Sequence, residues 1–264
     1  MSMSPTTRAS LTEDLRALGL SSGKILLVHA SMKQVGWVCG VSVAIVQALL
    51  DVLGPAGTLV VPTHTANNRD PARWRDPNIP RAWWPTIRAC LPAFDLRFTP
   101  SVGMGAVAEL VRTWPGARRS SHPQTSFAAL GPQAENIIGT HDLDCHLGDR
   151  SPLGRLADLG ASVLLLGVGW DRCTAFHLAE YRLPEPPSWT YSCIVTMGTD
   201  REWVTYSDVK LVDDDFAELG SAFEAADHVA VGPVGNATSR LFTIQAATAF
   251  SLEWMQVHRQ VPPP

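Results

Sequence analysis

Residues able to do chemistry concentrate in one block of the chain, Leu164-Leu165-Leu166-Gly167-Val168-Gly169-Trp170-Asp171-Arg172-Cys173-Thr174-Ala175-Phe176-His177-Leu178-Ala179-Glu180-Tyr181. An apolar run that delivers the chain to a Gly-rich turn reads as a buried strand, and Thr174 is placed to cap a helix with His177 in its first turn. The dipole at a helix N-terminus disfavours imidazolium, so such a histidine stays able to accept a proton near pH 7, which is what a general base needs. Glu180, three residues on, shares the helical face and is positioned to orient the ring or to meet a cationic substrate. The competing reading is a histidine that only packs or caps. His-x-x-Glu without a second histidine four residues away is not the metalloprotease helix, and no metal is expected.

Three other motifs match by letter and fail by context. Gly19-Leu20-Ser21-Ser22-Gly23 spells a nucleophile elbow but leads from a helix into a strand, the reverse of what the elbow needs. Gly103-Met104-Gly105-Ala106-Val107-Ala108 spells a dinucleotide fingerprint, yet Thr99-Pro100-Ser101 stands where a strand is required, so it is read as a turn offering backbone amides at a helix start. Gly167-Val168-Gly169 lacks the third glycine. The run Asp213 to Asp215 is expected in the first turn of a helix, where the dipole favours acids.

The elements that must position these residues follow from periodicity. Ser10 with Glu13 is a capping-box pattern for a helix with Leu11, Leu15 and Leu18 on one side, ending at Gly19. A strand over 25–29, a helix over 42–53 stopped by Gly54-Pro55, and a strand over 58–61 give the strand, helix, strand order of an α/β protein. From Pro62 to Trp84 the pattern dissolves into a long segment rich in Asp-Pro pairs and tryptophan, a length that is uncommon without a function. Helices are expected over 105–113, 133–138, from a Ser151 cap with Pro152 at the first position, over 174–181, 214–226 and 244–257. Strands are expected over 163–168 and, as a hairpin, over 192–197 and 203–206, which makes the sheet mixed.

Bulk composition sets outer bounds. The 264 residues, 45% hydrophobic and 17% charged, suit a globular chain with an interior, and a single domain over 1–264 is expected, with 1–9 and 260–264 as frayed tails. A net charge of −4 gives no basic footprint for nucleic acid and tolerates a cationic small molecule. The start of the chain lacks a signal-peptide pattern, no apolar run spans a bilayer, and the five cysteines form no Cys-x-x-Cys pair. A cytoplasmic protein without membrane or nucleic-acid partners is expected; monomer and homodimer are both left open.

Taken in order, several blocks resemble the aminoglycoside 3-N-acetyltransferase (antibiotic N-acetyltransferase) family: Leu27-Val28-His29-Ala30-Ser31 with Gly36; Pro62-Thr63-His64; Asp70-Pro71 with Trp74; Trp83-Trp84; Thr99-Pro100 with Gly103-Met104-Gly105 and Glu109; Arg119-Ser120-Ser121-His122-Pro123 with Ser126; Ser151-Pro152-Leu153; the Leu164–Tyr181 block; and Asp214-Asp215-Phe216 with Gly220. The serial agreement spans roughly residues 11–235. The resemblance implies a three-layer α/β/α fold with a mixed central sheet, distinct from the GNAT acetyltransferases. It also implies a tunnel taking acetyl-CoA from one end and an aminoglycoside from the other. By position it puts the base on His177 and an acidic partner on Asp208, with Glu180 a competing orienter. It assigns the coenzyme segment to Ser31, Met32, Lys33, Gln34, Val35 and Gly36, with Ser126 and Ser151 in the same cleft. For the acceptor it points to His64, Asp70, Trp74, Glu109, Glu180 and Tyr181. Arg81, where an acidic residue is common in the family, and Asn67, Asn68 and Arg69 depart from that pattern. The expected activity is therefore acetyl transfer from acetyl-CoA to the 3-amino group of an aminoglycoside. The alternatives are transfer to a different amine on the same fold and a non-catalytic coenzyme A-binding protein.

Overall fold

A computed structural model describes residues 5–74, 76 and 78–259. The strands are β1 (Ile25–Ala30), β2 (Thr58–Pro62), β3 (Arg118–Arg119), β4 (Phe127–Leu130), β5 (Ser162–Leu166), β6 (Ser188–Met197), β7 (Asp200–Val209), β8 (Ala230–Val234) and β9 (Ala237–Thr243). The helices are α1 (Arg8–Ala17), α2 (Met32–Val35), α3 (Val41–Leu53), α4 (Trp84–Cys90), α5 (Gly105–Arg112), α6 (Ala134–Ile138), α7 (Pro152–Asp158), α8 (His177–Tyr181), α9 (Phe216–Ala225) and α10 (Ile244–His258).

Seven strands form one sheet in the order β3-β4-β2-β1-β5-β9-β8. Its centre is parallel, with β1 between β2 and β5, and its wings are antiparallel through β4 on one side and β9 on the other. The sheet is mixed as expected, but through β4 and β9, since the expected hairpin, β6–β7, forms a sheet of its own. Side chains alternate across it. Leu26, Val28, Leu59, Val61, Leu164 and Leu166 join one core with α1, α3 and α5. Leu27, Val60, Val163 and Leu165 join the other with α6 to α10. Both faces are buried, which is why these strands read as continuous apolar runs.

Several expectations about elements are corrected. The capping box lies one turn upstream: Thr7 Oγ1 accepts from Ser10 N–H at 3.2 Å, and Ser10 Oγ accepts from Thr7 N–H at 2.9 Å. Residues 5–9 are accordingly held, with Thr6 bridging Val38 and Arg8 paired to Asp51, while 1–4 and 260–264 lie outside the described residues. Strands β3, β4, β8 and β9 were not anticipated. The acids at 213–215 precede α9 instead of filling its first turn, and Asp215, at the cap position, makes no capping bond because its oxygens are taken by Arg259.

The long segment after β2 is tied down by the β6–β7 hairpin, a separate two-stranded sheet. Asn68 exchanges both its amide groups with the Ile194 backbone, at 3.0 and 3.1 Å. Trp203 Nε1 donates to Arg88 O at 2.8 Å, and Arg73 stacks on Trp189. Arg81, in the same segment, lies over the Trp84 ring. No helix among the described residues is long and apolar enough to cross a membrane.

Candidate active site

A cleft of about 640 Å³ opens at the carboxyl ends of β1, β2 and β5. In an open α/β sheet this is where a crevice forms, because connections leave a central strand toward opposite faces. Here α3 leads from β1 to β2 on one face and α7 leads into β5 on the other. The walls come from His29 to Met32 after β1, Pro62 and His64 after β2, Gly103 to Ala106 at the start of α5, residues 171–174 after β5, and Leu211, Asp213 and Phe216.

His177 lines this cleft with its side chain 14% exposed. Two short 3-10 turns, Trp170–Arg172 and Thr174–Phe176, carry the chain from β5 to α8. Thr174 makes no capping bond, and α8 has five residues, so it carries only a small part of a macrodipole. What organises the ring is Glu180. Its Oε2 lies 2.7 Å from His177 Nδ1, and a carboxylate acceptor there puts the proton on Nδ1 and leaves Nε2 as the ring's proton acceptor. Phe216 packs on the ring at 4.7 Å between centroids. Glu180 is itself 1% exposed, and its Oε1 accepts from Val212 N–H at 2.9 Å and from Arg259 Nη1–H at 2.6 Å.

Of the two acids expected beside His177, then, Glu180 makes the contact. Asp208 faces a different histidine: its Oδ2 accepts from His146 Nδ1 at 2.5 Å, from His146 N–H at 2.7 Å and from the Tyr181 hydroxyl at 2.6 Å. Burial would raise the Asp208 carboxyl, but the bonds from His146 and Tyr181 outweigh it and hold it below the usual carboxylate range. The network runs on through His146 Nε2 to Gln124 Oε1 at 2.9 Å and through His141 Nε2 to His146 O at 2.9 Å.

The remaining expected residues divide. Ser31, Met32 and His64 line the cleft. Lys33 and Gln34 are exposed beside it, and Val35 is buried beneath. Gly36 has φ +87°, and a Cβ there would meet the Asn236 side chain at 2.5 Å, so the turn that closes this segment needs glycine. Ser126 and Ser151 belong to the scaffold. The first bonds Thr63 and Arg119 inside the fold, and the second caps α7 by accepting from Leu153 N–H at 3.1 Å. Of the acceptor acids, Asp70 is engaged by Arg88 at 2.8 Å, which holds its carboxyl low, and Glu109 by Arg112 and Ser101. Burial pushes Glu109 up, but those partners win and bring it down to about 2. Neither lines the cleft, nor do Trp74 and Tyr181.

Sequence reasoning missed His29, Arg69, Asp171, Arg172 and Asp213 as wall residues. Asp171 and Arg172 pair with each other at 3.0 Å. Burial lowers His29 to about 4; burial together with neighbouring imidazoles lowers His64 to about 3. Both rings are therefore neutral at working pH. Their place directly after the apolar runs of β1 and β2 was the available signal, since strand ends build such clefts. Cys173 also lines the cleft, but burial pushes its thiol up to about 12, so it supplies no thiolate. Among the described residues no group of three or more His, Cys, Asp or Glu side chains is arranged to hold a metal.

A doubly cored mixed sheet with a His–Glu pair at its strand ends defines an α/β protein with a candidate general base in its crevice. Residues 27–256 match the sequence profile of the aminoglycoside 3-N-acetyltransferase family. The chain is 42% identical to the SPbeta prophage-derived aminoglycoside N(3')-acetyltransferase-like protein YokD of Bacillus subtilis, over 95% of this chain and 92% of that one. It is 35% identical to aminoglycoside N(3)-acetyltransferase VIII of Streptomyces fradiae, over 96% and 92%. The crystal structure of YokD superposes with a TM-score of 0.94 at 40% identity, covering 98% of this chain and 97% of that one. AAC-IIIb with CoASH superposes at 0.86 and 32% identity, covering 99% and 100%. AAC-VIa bound to sisomicin does so at 0.86 and 32%, covering 98% and 100%. The chain belongs to the aminoglycoside 3-N-acetyltransferase family, a family of acyltransferases.

Proposed function

We propose that the chain transfers the acetyl group of acetyl-CoA to the 3-amino group of an aminoglycoside in a ternary complex, and that this acetylation confers resistance. The observation that carries the reading is the imidazole of His177, its Nδ1 held by Glu180, on the wall of a cleft at the strand ends. The family relatives named for this reaction, the neighbour holding CoASH and the neighbour bound to sisomicin support the donor and the acceptor. A donor found in the cytoplasm suits a cytoplasmic enzyme.

In this reading the amine nitrogen attacks the thioester carbonyl carbon, the carbonyl π electrons move to oxygen, and the amine proton passes to His177 Nε2. Glu180 offsets the charge that develops on the ring. The tetrahedral intermediate collapses with cleavage of the carbon–sulfur bond, and the departing thiolate takes the proton from Nε2. A positioned base contributes about 10² to 10⁴ in rate. An oxyanion donor, a backbone amide or a serine hydroxyl of the 31–36 segment, adds about 3 kcal/mol. No enzyme nucleophile is needed, which suits the inert thiol of Cys173.

One observation favours a second reading, transfer to an amine of lower charge. Among the described wall residues the carboxylates are Asp171 and Asp213, balanced by Arg69 and Arg172, whereas Asp70, Glu109 and Glu180 are ion-paired. Thiol release from acetyl-CoA across gentamicin, kanamycin and singly charged amines separates the two. Turnover with the antibiotics supports the first reading, and turnover confined to singly charged amines supports the second. Binding of acetyl-CoA without thiol release on any amine contradicts both and leaves a coenzyme-binding protein.

A further inference from the structure

We infer that Arg259, at the carboxyl end of α10, is a positioning residue for acetyl transfer, bridging the buried Glu180 carboxylate to the cleft wall and so holding Glu180 against His177. The inference rests on the acetyl-transfer reading above. Arg259 has no hydrogen bond to His177 and is not itself among the residues lining the cleft, and it follows α10, far along the chain from His177. Its Nη1 donates to Glu180 Oε1 at 2.6 Å. Its Nε and Nη2 donate to the two Asp215 oxygens at 2.7 and 2.5 Å, and Nη2 also to Val212 O at 2.8 Å. Val212 N–H returns to Glu180 Oε1 at 2.9 Å, and the guanidinium lies 5.8 Å from the Phe216 ring that packs on His177. One planar cation therefore fixes Glu180 and the 211–216 segment of the wall together.

The physical need is clear from burial. Glu180 is 1% exposed, and an ionised carboxylate so placed requires a compensating charge and filled lone pairs. The Asp215 fork fixes the guanidinium plane, and burial that would weaken the cation is outweighed by its two acidic partners, which raise it. Without the cation, Glu180 keeps one backbone donor and the Nδ1 contact. Its buried charge is then uncompensated, and the carboxylate is no longer held in place against His177.

The titratable and charged groups around the pair are Arg259 at the end of α10, Asp213 and Asp215 before α9, the neutral rings of His29 on β1 and His64 after β2, Arg69 after β2, Asp171 and Arg172 after β5, and Asp208 bonded to Tyr181. Of these, Arg259 is the one hydrogen-bonded to Glu180. Removing its positive charge takes away the cation bonded to Glu180 and, through Glu180, the hold on His177 Nδ1.

The test compares R259Q with R259K, using acetyl-CoA and an amine that the wild type accepts. R259Q is expected to lose kcat roughly tenfold with the acetyl-CoA KM nearly unchanged. The acidic limb of its kcat/KM profile is expected to move toward higher pH, because a fixed positive charge beside the pair is lost. R259K, which keeps the charge, is expected to keep the limb. Equal impairment of both variants with unmoved limbs would mean a merely structural clamp and overturn the inference. A second readout is independent of turnover: the downfield proton resonance of His177 Nδ1–H should persist in R259K and vanish in R259Q. If the wild type acetylates no amine, the transfer reading fails while this resonance still decides Arg259. If R259Q does not fold, R259K decides, since a moved limb or a lost resonance with the charge retained contradicts the inference.

Discussion

Glu180 and Asp208 are both buried carboxylates holding a histidine, but only the Glu180 partner, His177, borders the cleft. The two acids should therefore fail differently when neutralised. Glu180→Gln leaves Arg259 facing an amide and removes the charge that offsets the imidazolium, so kcat is expected to fall about 10²-fold or more. Asp208→Asn must turn its amide nitrogen either to the donors on Oδ2, from His146 N, His146 Nδ1 and Tyr181, or to the donor on Oδ1, from Val209 N, so at least one loses its acceptor, costing about 1–3 kcal/mol of stability. Its loss of kcat is expected to be much smaller than that of Glu180→Gln. Steady-state kinetics and urea midpoints for the two variants check this; an Asp208→Asn variant as inactive as Glu180→Gln would return Asp208 to the catalytic pair.

At the scale of elements, the turn after β5 and the short α2 abut so closely that glycine is required between them. Gly167 has φ +67°, and a Cβ there would stand 2.7 Å from the Gln34 Cβ and 2.9 Å from that of Ala237. Gly167→Ala is expected to cost about 1–3 kcal/mol and, by displacing the 31–36 segment, to raise the acetyl-CoA KM. Unchanged stability and KM would show that this packing is looser than described. The elements nearest the chemistry were legible because they carry strong local signals. Leu164 to Leu166 form an unbroken apolar strand, and His177 and Glu180 share a helical face at i, i+3. Strands β4 and β9 were not legible: Phe-Ala-Ala-Leu is short, and Ala237–Thr243 carries Ser239 and Arg240 inside its run. In β8, Gly232 and Pro233 imitate a turn. Nothing local in the sequence joins Arg259 to Glu180 or Asp208 to His146, because those contacts exist only after tertiary folding.

Across the whole molecule, burying neutral imidazoles makes the fold acid-sensitive. His29, His122 and His141 are 8%, 1% and 8% exposed. Burial lowers His29 to about 4 and His141 to about 3, and takes His122 well below its ordinary value. With folded values below the unfolded value near 6.5, the unfolded chain binds more protons between about pH 4 and 6.5. Stability therefore falls as pH drops through 6.5, by up to about 4 kcal/mol per pH unit for three groups together. Urea midpoints are expected to decline steeply from pH 7 to 5, and a flat profile would mean that these rings are already charged in the fold. Strand β1, which carries His29, ends at the cleft where His177 is assigned the proton transfer. The most direct measurement is made on His177→Ala: acetyl-CoA binding by calorimetry beside thiol release with an accepted amine. The account predicts near-native binding with turnover lost by a factor of about 10² to 10⁴. Turnover close to that of the wild type would contradict it.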